Sequence, residues 1–409
     1  MRVPIIDSDA HVGEPPDLWI DRIEATNEEQ RRLIPSVRFN DDKKRLEWYV
    51  GGEFVSTAPS GTSLGWREPP PANPPTFEDA HPAAFDPDER VHLMDESGIW
   101  AEVLFPNVGG LGNEGFLNIK DNDLRNACVR AYNDFLTEFC SSHPERLIPV
   151  GATMFWDLQA CVKELERTHA QGHRALLFSG KPDVYWGQPH LADPYWDPVW
   201  DAAQGMGLPV AFHVGAADPN AGLWHQTGYQ GLPARTRMAS QAVLQNFGLG
   251  KTIADLIYGG VTHRFPNLRF IVVESGLGWI GFLLEAMDYH FTEHRIREKS
   301  PELNLLPSEY FRRQMYCSYW FEVEAPRHNL EYIGVDNVMF ETDFPHPTGL
   351  WPPTSIATRV KDSLAGHRAE VVRKVLFENA ANLYNISAPP ASWPYAVDIP
   401  VSEGEPTFP

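Results

Sequence analysis

The chain has 409 residues, with 34 Lys and Arg against 55 Asp and Glu, a net charge of −21. A hydrophobic content of 43% is enough for a large core and excludes global disorder. The acidic balance argues against a nucleic-acid partner, which needs clustered Lys and Arg.

The first strand is expected at residues 4–9 (PIIDSD). A Pro- and Gly-rich region of weak periodicity follows, at about 20–84, and reads as an insertion with lid or dimer-contact character. Within it, residues 46–55 (LEWYVGGEFV) predict a hairpin turning at Gly51-Gly52. A helix fits 87–97, stopped by Gly98. Further strands are expected at 101–105, 147–153, 175–179, 209–213, 268–274, 314–320 and 337–342. Each is followed by a helical pattern: about 121–142, 158–171, 196–205, 240–258, 278–296, 327–333, and the pair 355–364 and 369–384. The residues from 387 read as a Pro-rich tail lying over the surface.

Eight apolar strands, each followed by a helix, predict an α/β fold of the (β/α)8 TIM-barrel type. Residues 1–385 would form one domain, with 386–409 as its tail. A doubly wound sheet is the weaker alternative, because neither a GxGxxG nor a P-loop is present. Cys128, Cys140, Cys161 and Cys317 form no CxxC, so neither a disulfide framework nor a zinc knuckle is expected. No window reaches the roughly 18 apolar residues of a membrane span. With no apolar leader-like stretch at the start, these features predict a cytoplasmic enzyme with a small-molecule substrate and no membrane partner, a homodimer being the default oligomer.

Barrel enzymes carry their chemistry at the C-terminal ends of strands. Asp9 and His11 stand there on strand one, His213 on strand five, Glu274 on strand six and Asp343 on strand eight, with His346 just beyond. Carboxylate oxygen and imidazole nitrogen converging from these ends suit Zn, Mn or Fe as divalent ions.

These stretches resemble a known family. IIDSDAHVGEPPDLW, ERVHLMDESGIWAEVLFP, FHVG, HRFPNLRFIVVESGLGWI and IGVDNVMFETDFPHPTGLWP are similar in order and spacing to the amidohydrolase superfamily. The likeness is to its amidohydrolase-2 branch, which holds aminocarboxymuconate-semialdehyde decarboxylase-like enzymes. The resemblance implies Asp9 and His11 as the paired first-strand ligands, where two His are usual. It implies His213 as the strand-five ligand, and Asp343 as a ligand or as the base for a metal-bound water. Strand four (HRALLFSG) lacks the Lys that bridges two metals in many members. The strand-six His that acts on substrate in the decarboxylases is here Glu274. Glu274 is then a candidate metal ligand, as is Glu14, and His346, Glu274 and Asp343 are the candidate catalytic residues. One metal is expected, with Glu14 and Glu274 orienting its ligands; two metals are the alternative.

Trp66, Trp186, Trp224, Tyr229, Trp320 and Trp351 fall near the expected top face. Trp224, Tyr229 and Trp320 are candidate substrate contacts, and Arg235 and Arg237 could bind a substrate carboxylate. His263 precedes strand six, and His290 with His294 sits on an outer helix, so none of them is expected at the site. The Asp9 and Glu274 substitutions favour a metal-dependent hydrolase acting on an ester, thioester or amide. A non-oxidative decarboxylase of an aromatic or unsaturated acid is the alternative, and a non-catalytic binding barrel is the third reading.

Overall fold

The computed structural model describes residues 1–216 and 231–402, apart from the side chains of residues 185 and 186. Eight parallel strands follow one another in sequence order around a nearly closed barrel. They are β1 (Ile5–His11), β2 (Ile99–Phe105), β3 (Leu147–Ala152), β4 (Ala175–Leu177), β5 (Val210–His213), β6 (Phe270–Val273), β7 (Met315–Tyr319) and β8 (Val338–Phe340). All eight fall where the apolar runs place them. Nearly every strand residue is buried, as expected when one face meets the barrel interior and the other the helices.

Alternate residues fill the interior. Ile6, Val103, Val150, Leu177, Ile271 and Met339 belong to one inner cluster, with Tyr384 and Ile386 packed into it. Side chains stitch the seam between β1 and β8. The Asp7 carboxylate accepts from the Thr342 amide at 2.9 Å and from the Thr342 hydroxyl. Ser8 donates to the Phe340 carbonyl at 3.0 Å, and the Asp343 amide donates to the Asp9 carbonyl at 3.0 Å.

The helices begin and end on local signals. In Pro87–Ser97 the Asp86 carboxylate accepts from the amides of Asp88 and Glu89, and Pro87 occupies the first turn. Gly98, at φ 74°, closes the helix in the left-handed region that glycine reaches without strain. The stretch expected as one helix over 240–258 is two, Ala234–Gln245 and Leu249–Tyr258, separated by Asn246, Phe247 and Gly248.

The insertion is a three-stranded antiparallel sheet, Ser36–Asn40, Arg45–Val50 and Glu53–Thr57. Its second turn is the expected Gly51-Gly52, both at positive φ, which suits a tight hairpin. Glu47 ties the sheet together. Burial works against its charge, yet hydrogen bonds from Asn40, Arg45, Tyr49 and Lys43 hold its pKa down to about 2. In the C-terminal segment Val397–Asp398 pairs antiparallel with Arg2–Val3, so this part is strand-paired rather than merely draped. No helix among the described residues is long and apolar enough to cross a membrane.

Candidate metal centre and active site

The barrel register assembles the site. His213 pairs with Val273 across β5 and β6, which sets Glu274 one step beyond it. The seam bond from the Asp343 amide to the Asp9 carbonyl sets those two side by side. Asp9, His11, His213 and Asp343 are fully buried, and Glu274 is 8% exposed. Glu274 and Asp343 both take positive φ, 54° and 60°. Carboxylate residues rarely adopt this strained region, and such strain concentrates at functional sites.

Two overlapping donor groups result, Asp9–His11–His213–Glu274 and His11–Glu274–Asp343–His346, each with its ligand atoms within 4.8 Å of one another. The imidazole hydrogen bonds fix which nitrogens face inward. His11 Nδ1 lies 3.1 Å from the Pro106 carbonyl and His213 Nδ1 lies 3.1 Å from the Val214 carbonyl. A carbonyl only accepts, so each Nδ1 carries the proton, and each Nε2 presents a lone pair. Those two Nε2 atoms stand 3.4 and 3.3 Å from Asp9 Oδ1. His11 Nε2 and Asp9 Oδ2 have no hydrogen-bond partner and are buried.

Lone pairs thus face lone pairs in a buried pocket. Burial, with His346 and His213 nearby, pushes the His11 pKa well below its ordinary value, so His11 does not take up a second proton to relieve the conflict. Burial also raises Asp9, and burial with the charges of Asp343 and Asp9 raises Glu274 well above the carboxylate range. What this arrangement lacks is a positive charge at its centre, and a divalent cation fits the donor set.

His346 is held from both sides. Its Nδ1 is 2.7 Å from Asp343 Oδ1 and its Nε2 is 2.5 Å from Asn107 Oδ1. Asn107 is itself oriented, because its Nδ2 donates to the Val12 carbonyl at 2.8 Å. Thr348 donates to Asp343 Oδ2 at 2.9 Å. Burial opposes a charge on His346, yet the adjacent Asp343 carboxylate raises its pKa.

Some expected residues stand elsewhere. Glu14, expected as a ligand, is outside both donor groups. Its Oε1 instead accepts from the amides of Asn107 and Val108 at 2.8 and 3.0 Å and so fixes the loop after β2. Burial lifts its pKa to about 7. Arg235 is exposed and faces Glu68 at 3.6 Å, away from the cavity. Arg237 is not among the residues lining the cavity either. Trp320 is buried, donates to the Thr348 carbonyl at 3.1 Å and backs the loop that holds Asp343. Trp224 and Tyr229 lie outside the described residues. His263 sits before β6, 3.5 Å from the Tyr310 hydroxyl, and His290 and His294 are exposed on their outer helix, as expected.

Several site residues escaped the sequence reading. Asp7 and Glu341 are both fully buried. Glu341 lies two positions before Asp343, and strand alternation points it toward the same interior; Asp7 stands at a register shift in β1, which breaks that period. Asn107 and Thr348 sit on loops and Glu114 opens the short 3-10 helix Glu114–Asn118, where no spacing marks them. A cavity of about 530 Å³ reaches from Glu14, Glu274 and His346 to the inner face of the insertion sheet.

The amidohydrolase family profile, Amidohydro_2, matches residues 6–386. A 2-amino-3-carboxymuconate-6-semialdehyde decarboxylase from Dictyostelium discoideum is 23% identical over 70% of this chain and 74% of its own. A gamma-resorcylate decarboxylase from Rhizobium sp. is 24% identical over 66% and 81%. Among solved structures, an amidohydrolase from Mycobacterium avium subsp. paratuberculosis superposes with a TM-score of 0.72 at 24% identity, over 94% of this chain and 100% of its own. A dihydroxybenzoic acid decarboxylase from Polaromonas sp., solved with manganese and 2-nitroresorcinol, does so at 0.56 and 21%, over 74% and 87%. The expectation of hydrolysis is overturned, since the relatives named for a reaction are decarboxylases. That expectation rested on Asp9 and Glu274 standing where the resemblance has imidazoles. Glu274 nonetheless faces the cavity there, with its Oε2 3.7 Å from His213 Nδ1. An (β/α)8 barrel with this donor cluster and a profile match across nearly its whole length is an enzyme of the amidohydrolase superfamily that takes a divalent metal, and the chain belongs to the amidohydrolase-2 family.

Proposed function

We propose that the protein is a metal-dependent, non-oxidative decarboxylase of an aromatic or unsaturated carboxylic acid. One observation carries the site: two buried imidazole Nε2 atoms, whose Nδ1 partners face backbone carbonyls, meet one carboxylate oxygen of Asp9 at 3.3–3.4 Å. The reaction follows from the decarboxylases among the relatives.

Asp9, His11, His213 and Asp343 are the proposed ligands, with Glu274 at the edge of the set. We favour one ion, because both ring nitrogens of His346 are committed to Asp343 and Asn107 and leave the second donor group incomplete. We favour manganese, since the carboxylates make the site hard and oxygen-rich. When bound, the ion supplies the positive charge that anchors the substrate carboxylate and polarises a neighbouring oxygen.

The protein's own part is proton supply. Decarboxylation breaks the carbon–carboxyl bond, leaves its electron pair on the substrate carbon, and requires one proton there as CO2 departs. Asn107 Oδ1 accepts from His346 Nε2, so the remaining dissociable proton lies between His346 Nδ1 and Asp343 Oδ1. His346 borders the cavity, and it is the proposed donor, with Asp343 holding its Nδ1 proton. Glu274, whose carboxyl lies within 4.8 Å of the His346 ring nitrogen, orients the substrate from the end of β6. We read residues 1–385 as one catalytic unit, the insertion forming the outer wall of its cavity.

The test is CO2 release from hydroxybenzoates and related acids. Turnover should be lost on chelation and restored by manganese. His213→Ala and Asp343→Asn should lose both metal and turnover. Chelator-insensitive turnover, or variants that keep metal and activity, would overturn the assignment.

A further inference from the structure

The cavity is larger and more apolar than a single-ring acid needs. Its polar end holds Glu14, Glu274 and His346. Its lining also includes Trp48 and Val55 from the insertion sheet, with Phe77, Leu111, Leu117 and Met238. A hydroxylated benzoate needs on the order of 200 Å³ at the packing density of a protein interior. The cavity offers about 530 Å³. Trp48 and Phe77 are among the side chains that bound it, beside polar Glu114, Asn118 and Gln245, and aromatic rings favour offset or edge-on contact with another ring. Trp48 is held in place rather than mobile, since its ring packs edge-on against Trp19 at 5.6 Å and Phe77 at 6.4 Å. Lys120 also borders the cavity and donates to the Leu117 carbonyl at 3.2 Å.

From this geometry we propose that the substrate is a two-ring aromatic carboxylic acid. Its carboxyl lies at the donor cluster, and its second ring lies in the apolar compartment roofed by the insertion sheet. The proposal rests on the reading of the site as one for carboxylic acids. The insertion is then a specificity element.

The experiment compares two acids that differ by one fused ring, 1-hydroxy-2-naphthoate and salicylate. Each is equilibrated by dialysis with the manganese-loaded protein, and both acid and product are quantified. We expect the naphthoate to bind at least tenfold more tightly. Val55→Trp, which fills the compartment, should remove that preference and leave salicylate binding unchanged. Ser60→Phe, on a separate turn of the same wall, serves where Val55→Trp does not fold. Equal affinities in the wild-type protein overturn the proposal, and so does a preference that survives in a filled variant with native metal content. Preferential naphthoate binding with no CO2 from either acid sinks the decarboxylase reading and upholds this one. CO2 from salicylate without any preference does the reverse.

Discussion

Replacing Asp9 by Asn should move thermal stability in opposite directions with and without metal. In the metal-free wild-type protein Asp9 Oδ1 faces the Nε2 lone pairs of His11 and His213 at 3.3–3.4 Å, and Asp9 Oδ2 is unpartnered. An Asn amide can donate to one of those nitrogens and carries no charge. Restoring a hydrogen bond to a buried unsatisfied group gains about 1–3 kcal/mol. At about 2.1 cal/mol/K of unfolding entropy per residue, a chain of 409 residues has roughly 0.9 kcal/mol/K near its midpoint. Chelated Asp9→Asn should therefore melt about 1–3 °C above chelated wild type. Metal at 100 times its dissociation constant stabilises the native state by about 2.7 kcal/mol, which raises the wild-type Tm by about 3 °C. The variant, having lost a ligand, should gain little. Scanning calorimetry of both proteins in chelator and in excess manganese reads all four values. A chelated variant less stable than chelated wild type would refute the lone-pair argument. A wild-type Tm unmoved by metal would refute the cation.

Other residues give sharper local tests. Asn107→Ala removes the acceptor of His346 Nε2; kcat should fall about 10–100-fold with little change in KM, and Asn107→Asp should recover part of it. Equal losses in both constants would argue for a substrate contact instead. Burial raises the Glu114 pKa from 4.5 to about 7. The fold thus favours the protonated form; that stabilisation is complete below pH 4.5 and lost as pH rises through 7. The Tm of Glu114→Gln relative to wild type should therefore climb between pH 4.5 and 7 and then level off, and a flat difference would contradict the shift. Arg90 pairs with buried Glu102 and donates to the His11 carbonyl at 2.6 Å. Arg90→Met strands that carboxylate at about 3–5 kcal/mol, so Tm should drop by several degrees and metal affinity should fall with it. Unchanged metal affinity would detach Arg90 from the site.

The strands were legible because burial on both faces writes continuous apolar runs; β3–β8 lie within those runs, and β1 and β2 overlap theirs. The proposed ligands were legible for a related reason: Asp9, His11, His213, Glu274 and Asp343 are polar residues closing apolar strands, where a barrel gathers them. Glu14 shares that neighbourhood in sequence, but the loop after β2 captured its carboxylate with two amides. Arg235 looked available because a loop after β5 can turn inward; here it starts a helix whose basic side chain meets Glu68. Asn107 and Thr348 reach Asp343 and His346 only through tertiary packing of loops, which no periodicity encodes. The chemistry was misjudged because the residue types at Asp9 and Glu274 were taken to decide the reaction.

The most direct measurement of the central claim follows carbon and hydrogen together. The manganese-loaded protein is incubated in D2O with an aromatic acid labelled with ¹³C at its carboxyl. We predict one ¹³CO2 per molecule of product, and one deuterium on the carbon the carboxyl has left, both abolished by chelation. An acid recovered unlabelled by deuterium, with no ¹³CO2 from any acid while the metal stays bound, would contradict the account.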